Sequence, residues 1–181
     1  MRLQGVKTGE NLVGYSLNMQ DISAQVAKLT MFDDITDKHL RRAMQLSVFK
    51  LQAEIVPLVP TGVTGRLKGS IKSEVSGYGS NIVGKVGSTL EKEEYPAVME
   101  FGRRPGKMPP PSALYRWVQI RLKVPKKKVP GVAYVIARSI ARKGIKGRRF
   151  MQKGYRKSGA YIRQQFMLAL DRITEDLSVG N

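Results

Sequence analysis

Apolar side chains at Leu40, Met44, Leu51 and Ile55, with the small Ser47 between them, recur every three or four positions. That is the period of one helix face. Asp33, Asp34, Thr36 and Asp37 stand just ahead of the stripe, where anionic and capping groups suit a helix N-terminus. The spacing predicts a helix over 36–56, ended by Pro57 and Pro60, which cannot continue it. Glycines at 62, 65 and 69 then mark a loop or a short turn of helix.

Beyond the loop the period shortens to two. Ile71 and Val75 alternate with polar neighbours, GYGSN reads as a turn, and residues 82–88 form a second extended run, together a hairpin. Tyr95, Ala97, Met99 and Phe101 alternate in the same way and predict a third strand, with Pro96 at its start or on an edge. RRPGKMPPP breaks the chain, Ser112 is placed to cap a helix through Leu122, and VPKKKVPG breaks it again before a short helix from Val132 to about Arg142. KGIKGRR leads to Phe150 and a final helix over 151–177, with Tyr155, Ile162, Phe166, Leu170, Ile173 and Leu177 on one stripe. Gly154 and Gly159 are expected to weaken its first turns by ~1 kcal/mol each relative to alanine.

Three short strands need cover on at least one face. The expected fold is therefore α+β: a small antiparallel sheet of three or more strands packed against a leading helix and a long C-terminal helix. A basic, proline-broken helical insertion at about 103–131 is expected to pack loosely on that single domain, which spans 33–181. Residues 1–32, with a short amphipathic stretch at Ile22, Val26 and Leu29, read as an N-terminal arm or short helix.

Composition changes the picture chiefly through charge. The 181 residues carry 32 Lys/Arg against 14 Asp/Glu, but residues 1–100 hold 12 and 11 while residues 101–181 hold 20 and 3. No acidic residue occurs between Glu100 and Asp171. A segment of that kind repels itself unless an anionic partner lies nearby. Aromatics are interleaved with the cations at Tyr115, Arg116 and Trp117, at Arg149 and Phe150, and at Tyr155 and Arg156, a composition suited to neutralising phosphates. The candidate contacts to DNA or another anionic partner are Arg103, Arg104, Lys107, Lys126, Lys127, Lys128, Arg142, Lys143, Lys146, Arg148, Arg149, Lys153, Arg156 and Lys157. They stand in breaks and at helix ends, where long side chains can reach a backbone. DNA and the acidic surfaces of neighbouring proteins both satisfy this pattern. No RNA-recognition signature, zinc finger or helix-turn-helix accompanies it, so nucleic-acid contact would be to the phosphates and without sequence preference.

Enzymatic chemistry finds little to work with. There is no cysteine and one histidine, His39, which removes thiolate chemistry and leaves no second imidazole to share a metal. His39 is expected to be a solvated or capping residue. GVTGRLKGS lacks the spacing of a phosphate-binding loop. Glu91, Glu93, Glu94 and Glu100 cluster in sequence, but no other carboxylate follows for seventy residues. The reading is of a protein that is not an enzyme, with no metal or other cofactor. Glu91, Glu93 and Glu94 are better placed as an acidic turn that meets the basic region of the next subunit, a head-to-tail contact that generates rings. No apolar run approaches the ~20 residues a bilayer requires, and the opening residues lack the apolar core of a secretion signal.

The order of motifs resembles a known family. Pro60, Thr64, Gly65, Leu67 and Ser70 follow the first helix; Tyr95, Ala97, Glu100, Phe101 and Gly102 form the next group; Gly144, Gly147, Arg149 and Phe150 precede the last helix. This pattern, over roughly residues 16–175, is similar to that of the tail-component proteins of long-tailed bacteriophages, called neck, tail-completion or head-tail joining proteins. Pro96 directly after Tyr95, and Met151-Gln152-Lys153 where the family has a leucine-arginine-proline turn, depart from it. The resemblance implies a virion structural protein of the tail or neck, made in the host bacterial cytoplasm. It implies a homo-oligomeric ring, six-fold like the tail, around the channel through which DNA leaves. Head-closure, tail-terminator or tail-tube proteins would be its neighbours. The competing class is a cellular protein that binds nucleic acid without sequence preference.

Overall fold

The computed structural model describes residues 14–18, 33–90 and 95–179. The protein is α+β, with a small antiparallel sheet and a long C-terminal helix. Strand β1 (Gly14–Asn18) precedes helix α1 (Asp33–Ile55). A 3-10 turn at Val56–Leu58 and the short helix α2 (Arg66–Ser70) lead into the hairpin β2 (Ile71–Ser76) and β3 (Val83–Ser88). Helix α3 (Tyr95–Phe101) and the two-residue strand β4 (Gly102–Arg103) follow. Then come α4 (Tyr115–Arg121), α5 (Val129–Lys143), β5 (Ile145–Lys146) and α6 (Phe150–Val179).

Helix α1 forms where its stripe places it, and Leu40, Met44, Ser47, Leu51 and Ile55 are all buried, joined by Ala43 and Val48. Ser47 is accommodated in the core because its hydroxyl donates to the Ala43 carbonyl at 2.7 Å, which leaves no buried polar atom unpaired. The facing stripe of α6 buries Ile162, Phe166, Ala169 and Ile173, with Tyr155, Leu170 and Leu177 packed at its margin. Ile71, Ile82 and Val86 close the core from the sheet side.

In the sheet, β3 is central: β2 pairs with it antiparallel from Ile71 opposite Ser88 to Ser76 opposite Val83, and β1 lies along its other edge. The hairpin is fastened to α1 by polar contacts. The Gln52 amide donates to the Ile71 carbonyl at 2.9 Å, the Ser73 hydroxyl donates to Gln52 at 2.6 Å, and the Tyr78 hydroxyl donates to Asp34 at 2.8 Å. Asp37 accepts from both the Gly79 amide and Arg41. The N-terminal carboxylates of α1 thus hold the hairpin turn as well as meeting the helix dipole. His39, expected to be solvated or capping, instead pairs with Asp176 at 2.7 Å and ties the start of α1 to the end of α6.

Three expectations need correction. Residues 95–101 are helical, so the third strand placed there does not exist; Pro96 is accommodated near the start of that helix, where its missing N–H costs nothing. Ser112 caps no helix, since a 3-10 turn at Pro111–Leu114 runs straight into α4 without a side-chain cap. Finally, the basic insertion is organised over a longer span than 103–131. Val118, Val129 and Ala133 form a second small core with Leu114, Val124, Val132 and Ile136 around them, making α4 and α5 a lobe of its own. Of the N-terminal arm, residues 14–18 form β1, whereas the amphipathic stretch at Ile22, Val26 and Leu29 lies outside the described residues.

Candidate functional site

The lobe returns to the main body through a joint built from two segments about forty residues apart. Gly102 pairs with Lys146 and Arg103 with Ile145. The Arg148 amide donates to the Met99 carbonyl at 2.8 Å, and the Arg149 amide to the Glu100 carbonyl at 3.0 Å. On the lobe side the Gly106 amide donates to the Ala141 carbonyl at 2.8 Å. The approach is so close that a Cβ on Gly144 would sit 2.1 Å from the Arg103 carbonyl oxygen, and one on Gly102 would sit 2.5 Å from that of Ile145. Both also have positive φ, +71° and +87°, a region that non-glycine residues enter at a cost of ~1–2 kcal/mol.

At the centre of the joint lies Glu100, 1% exposed. Its two carboxylate oxygens accept the amides of Met151 at 2.9 Å and Gln152 at 3.2 Å. A carboxylate aimed at the first turn of α6 satisfies two of the four amides that the helix cannot pair internally and meets the positive end of its dipole. Glu100, expected on a third strand, is instead at the end of α3 and serves as the cap of α6. Phe150, 2% exposed, and Met151, fully buried, anchor the same turn in the main core.

The remaining parts of the motif pattern converge nearby. Leu67 and Ser70 are buried, and the Ser70 hydroxyl donates to the Leu67 carbonyl and shares a 2.8 Å hydrogen bond with Ser88. Gly62 abuts the Tyr95 hydroxyl, and partial burial raises that phenol above its ordinary pKa of 10. Arg121 of the lobe donates to the Gly62 carbonyl from both Nε, at 2.9 Å, and Nη2, so the Pro60–Leu67 loop touches both the lobe and α3.

Of the fourteen candidate cations, thirteen are exposed and Arg103 is half-buried. Arg103, Arg104, Lys107, Arg142, Lys143, Lys146, Arg148 and Arg149 gather at the joint through the pairings just described. Lys126, Lys127 and Lys128 stand apart on a 3-10 turn between α4 and α5, and Lys153, Arg156 and Lys157 lie along the first turns of α6. Among the described residues the ion pairs are His39–Asp176, Arg41–Asp37 and Lys50–Glu54, and none includes a candidate cation. Lys50 holds the Glu54 carboxyl below its usual range by hydrogen bond and charge, with a smaller contribution from Lys157. Glu91, Glu93 and Glu94 lie outside the described residues.

Among the described residues no three His, Asp or Glu side chains come together as metal ligands, and no helix is long and apolar enough to cross a membrane. Sequence reasoning missed Glu100 as a cap. The signal was present: a lone carboxylate between Met99 and Phe101, and the last one before the acid-free stretch. No family model, no curated protein and no solved structure matches the chain.

Proposed function

We propose that this protein is a structural subunit of the virion of a long-tailed bacteriophage, located at the neck or tail end. It forms a homo-oligomeric ring, six-fold like the tail, that completes the tail and joins it to the head around the DNA channel. Its role is assembly and not catalysis. One observation carries the reading: the motif residues that resemble the tail-component family are mutually dependent in space. Glu100 caps the helix that Phe150 begins, while Gly102 and Gly144 permit the backbone approach between their two segments. A chance coincidence of motif spacing would give no reason for these particular residues to meet.

A ring subunit needs two different surfaces that complement each other, and the exposed cations, which form no ion pair among the described residues, supply one of them. Glu91, Glu93 and Glu94 are assigned to the other. Neighbouring head-closure, tail-terminator or tail-tube proteins would take the faces along the ring axis. The same exposed cations also suit the second reading, a cellular nucleic-acid-binding protein, which predicts no association with particles.

The test is electron microscopy of purified particles carrying a labelled subunit, together with charge reversal of Glu91, Glu93 and Glu94 to lysine. Label at the head-tail junction in the parent, and loss of joined particles in the triple variant, are expected. A subunit absent from particles would overturn the virion reading. Normal assembly of the triple variant would overturn the acidic-turn contact.

A further inference from the structure

We infer that the joint formed by residues 103–107 and 142–149 is a preformed seat for the phosphate backbone of duplex DNA, and that the other candidate cations contribute less. This deepens the proposed function and rests on it for the identity of the DNA, though not for the chemistry of the site.

Three observations carry it. First, topology concentrates charge here that the sequence spreads over two segments: the Gly102–Lys146 and Arg103–Ile145 pairs and the Gly106–Ala141 hydrogen bond set Arg103, Arg104 and Lys107 beside Arg142, Lys143 and Lys146. The amide bonds of Arg148 and Arg149 to the Met99 and Glu100 carbonyls bring these two cations to the same joint. Second, the one carboxylate built into the joint is withdrawn from that surface. Glu100 is 1% exposed and committed to the amides of Met151 and Gln152, so it offers these cations no partner, and none of them forms an ion pair among the described residues. Third, the backbone beneath is fixed. Glycine approaches as close as 2.1 Å to a Cβ position leave it little room to move, and the Arg103 guanidinium holds the following loop by donating to the Lys107 carbonyl at 2.6 Å. Cations on a rigid support lose less freedom on binding than those on a mobile one.

The lysine turn has three cations on a short 3-10 element, and the cations of α6 are strung along a single helix. Neither converges from two chain segments. Contact with phosphates releases counterions, so log affinity falls with log salt by roughly 0.9 for each contact on duplex DNA. The number of contacts can therefore be read from a slope.

The experiment is fluorescence anisotropy of the full chain with a labelled mixed-sequence duplex over roughly 50–200 mM salt. Arg104→Gln, Lys107→Gln, Lys146→Gln and Arg148→Gln are combined in one variant, and Lys126→Gln, Lys127→Gln and Lys128→Gln in another. The first four side chains are exposed, and a matching melting curve checks that the variant is folded. Should it melt lower, the double variant Arg104→Gln, Lys146→Gln replaces it, with half the expected change. The joint variant is expected to flatten the slope by about 3 and the lysine-turn variant by less than about 1. Phe101→Ala, removing a side chain 62% exposed at the edge of the joint, is expected to leave the slope unchanged. Equal slopes for the parent and the joint variant, a larger loss in the lysine-turn variant, or no duplex binding by the parent would overturn the inference. These outcomes are independent of whether the labelled subunit is found in particles, so the two proposals fail separately.

Discussion

Glu100 accepts the amide hydrogen of Met151 at 2.9 Å across 51 residues of sequence, and does so almost fully buried. The bond joins the end of α3 to the beginning of α6 and, beside the backbone pairs of the joint, helps to fix the lobe between them. Removing it leaves the Met151 and Gln152 amides without partners in a site that water does not reach freely. Glu100→Ala is expected to cost about 3 kcal/mol. For a chain of this size that lowers the melting temperature by roughly 6–12 °C. Glu100→Gln keeps one acceptor oxygen but points an NH2 group at an amide N–H, and should lose nearly as much. A fall under about 1 kcal/mol for either, in denaturant or thermal melts, would contradict the capping role.

The glycines of α6 are not equivalent. A Cβ on Gly154 would lie 2.4 Å from Cγ1 of Ile55 and 3.1 Å from its Cα, whereas one on Gly159 meets nothing within 4 Å. Gly154 is where α1 and α6 come together, and Ile55 is fully buried there. Gly154→Ala should overpack the contact and destabilise by about 1–3 kcal/mol. Gly159→Ala should stabilise by about 1 kcal/mol through helix propensity alone. Opposite shifts in urea midpoint are expected; shifts of the same sign would refute the packing argument.

A similar contrast holds at the joint. Arg149 has φ of +51° immediately before α6, a conformation that costs a non-glycine residue about 1–2 kcal/mol. Arg149→Gly relieves that cost but adds freedom to the unfolded chain, so stability should change by less than about 1 kcal/mol. Gly144→Ala meets both positive φ and the Arg103 carbonyl, and should cost about 3 kcal/mol or more. Arg149→Gly also removes one proposed phosphate contact, so the salt slope should flatten by roughly 0.9 while the fold persists. Thermal melts and the anisotropy titration read the two effects separately.

The parts of the fold legible in the sequence are those with a sustained period or a marked turn. The stripes of α1 and α6 repeat often enough to fix both element and buried face, and β2 and β3, only six residues each, are marked as a hairpin by the GYGSN turn between them. Tyr95 to Phe101 alternates over only seven residues, too few to separate a strand from a short helix. Tertiary context decided it: Glu100 must reach the start of α6, and Pro96 fits a first helical turn. For the site, the identities of the cations were legible but their grouping was not. Lys146 and Gly102 meet through a ladder of two residue pairs, which carries no periodic signal. His39 was likewise misplaced because its partner, Asp176, lies 137 residues away.

The lobe can be separated from the fold that carries it. The main core contains no apolar side chain from residues 100–149, and the lobe buries its own apolar residues around Val118 and Ala133. Its ends meet where the Gly106 amide donates to the Ala141 carbonyl at 2.8 Å, a gap that a linker of about two glycines closes as a tight turn. Excising residues 107–140 therefore removes α4 and most of α5 without breaking the Gly102–Lys146 pairing or the Glu100 cap. It does remove the Arg121 bonds to the Gly62 carbonyl and the Arg103 bond to the Lys107 carbonyl, surface ties expected to contribute about 1–2 kcal/mol together. The shortened chain should still unfold in one cooperative step with no more than that loss, and should keep most of the salt dependence of DNA binding, since only Lys107 of the joint cations is deleted. Particle assembly gives the sharper reading. If the lobe is the face that meets neighbouring neck or tail proteins, the excised subunit folds and binds DNA but fails to join heads to tails. A chain that no longer unfolds cooperatively would show that the lobe is needed for the main core, and that the division into two cores is wrong.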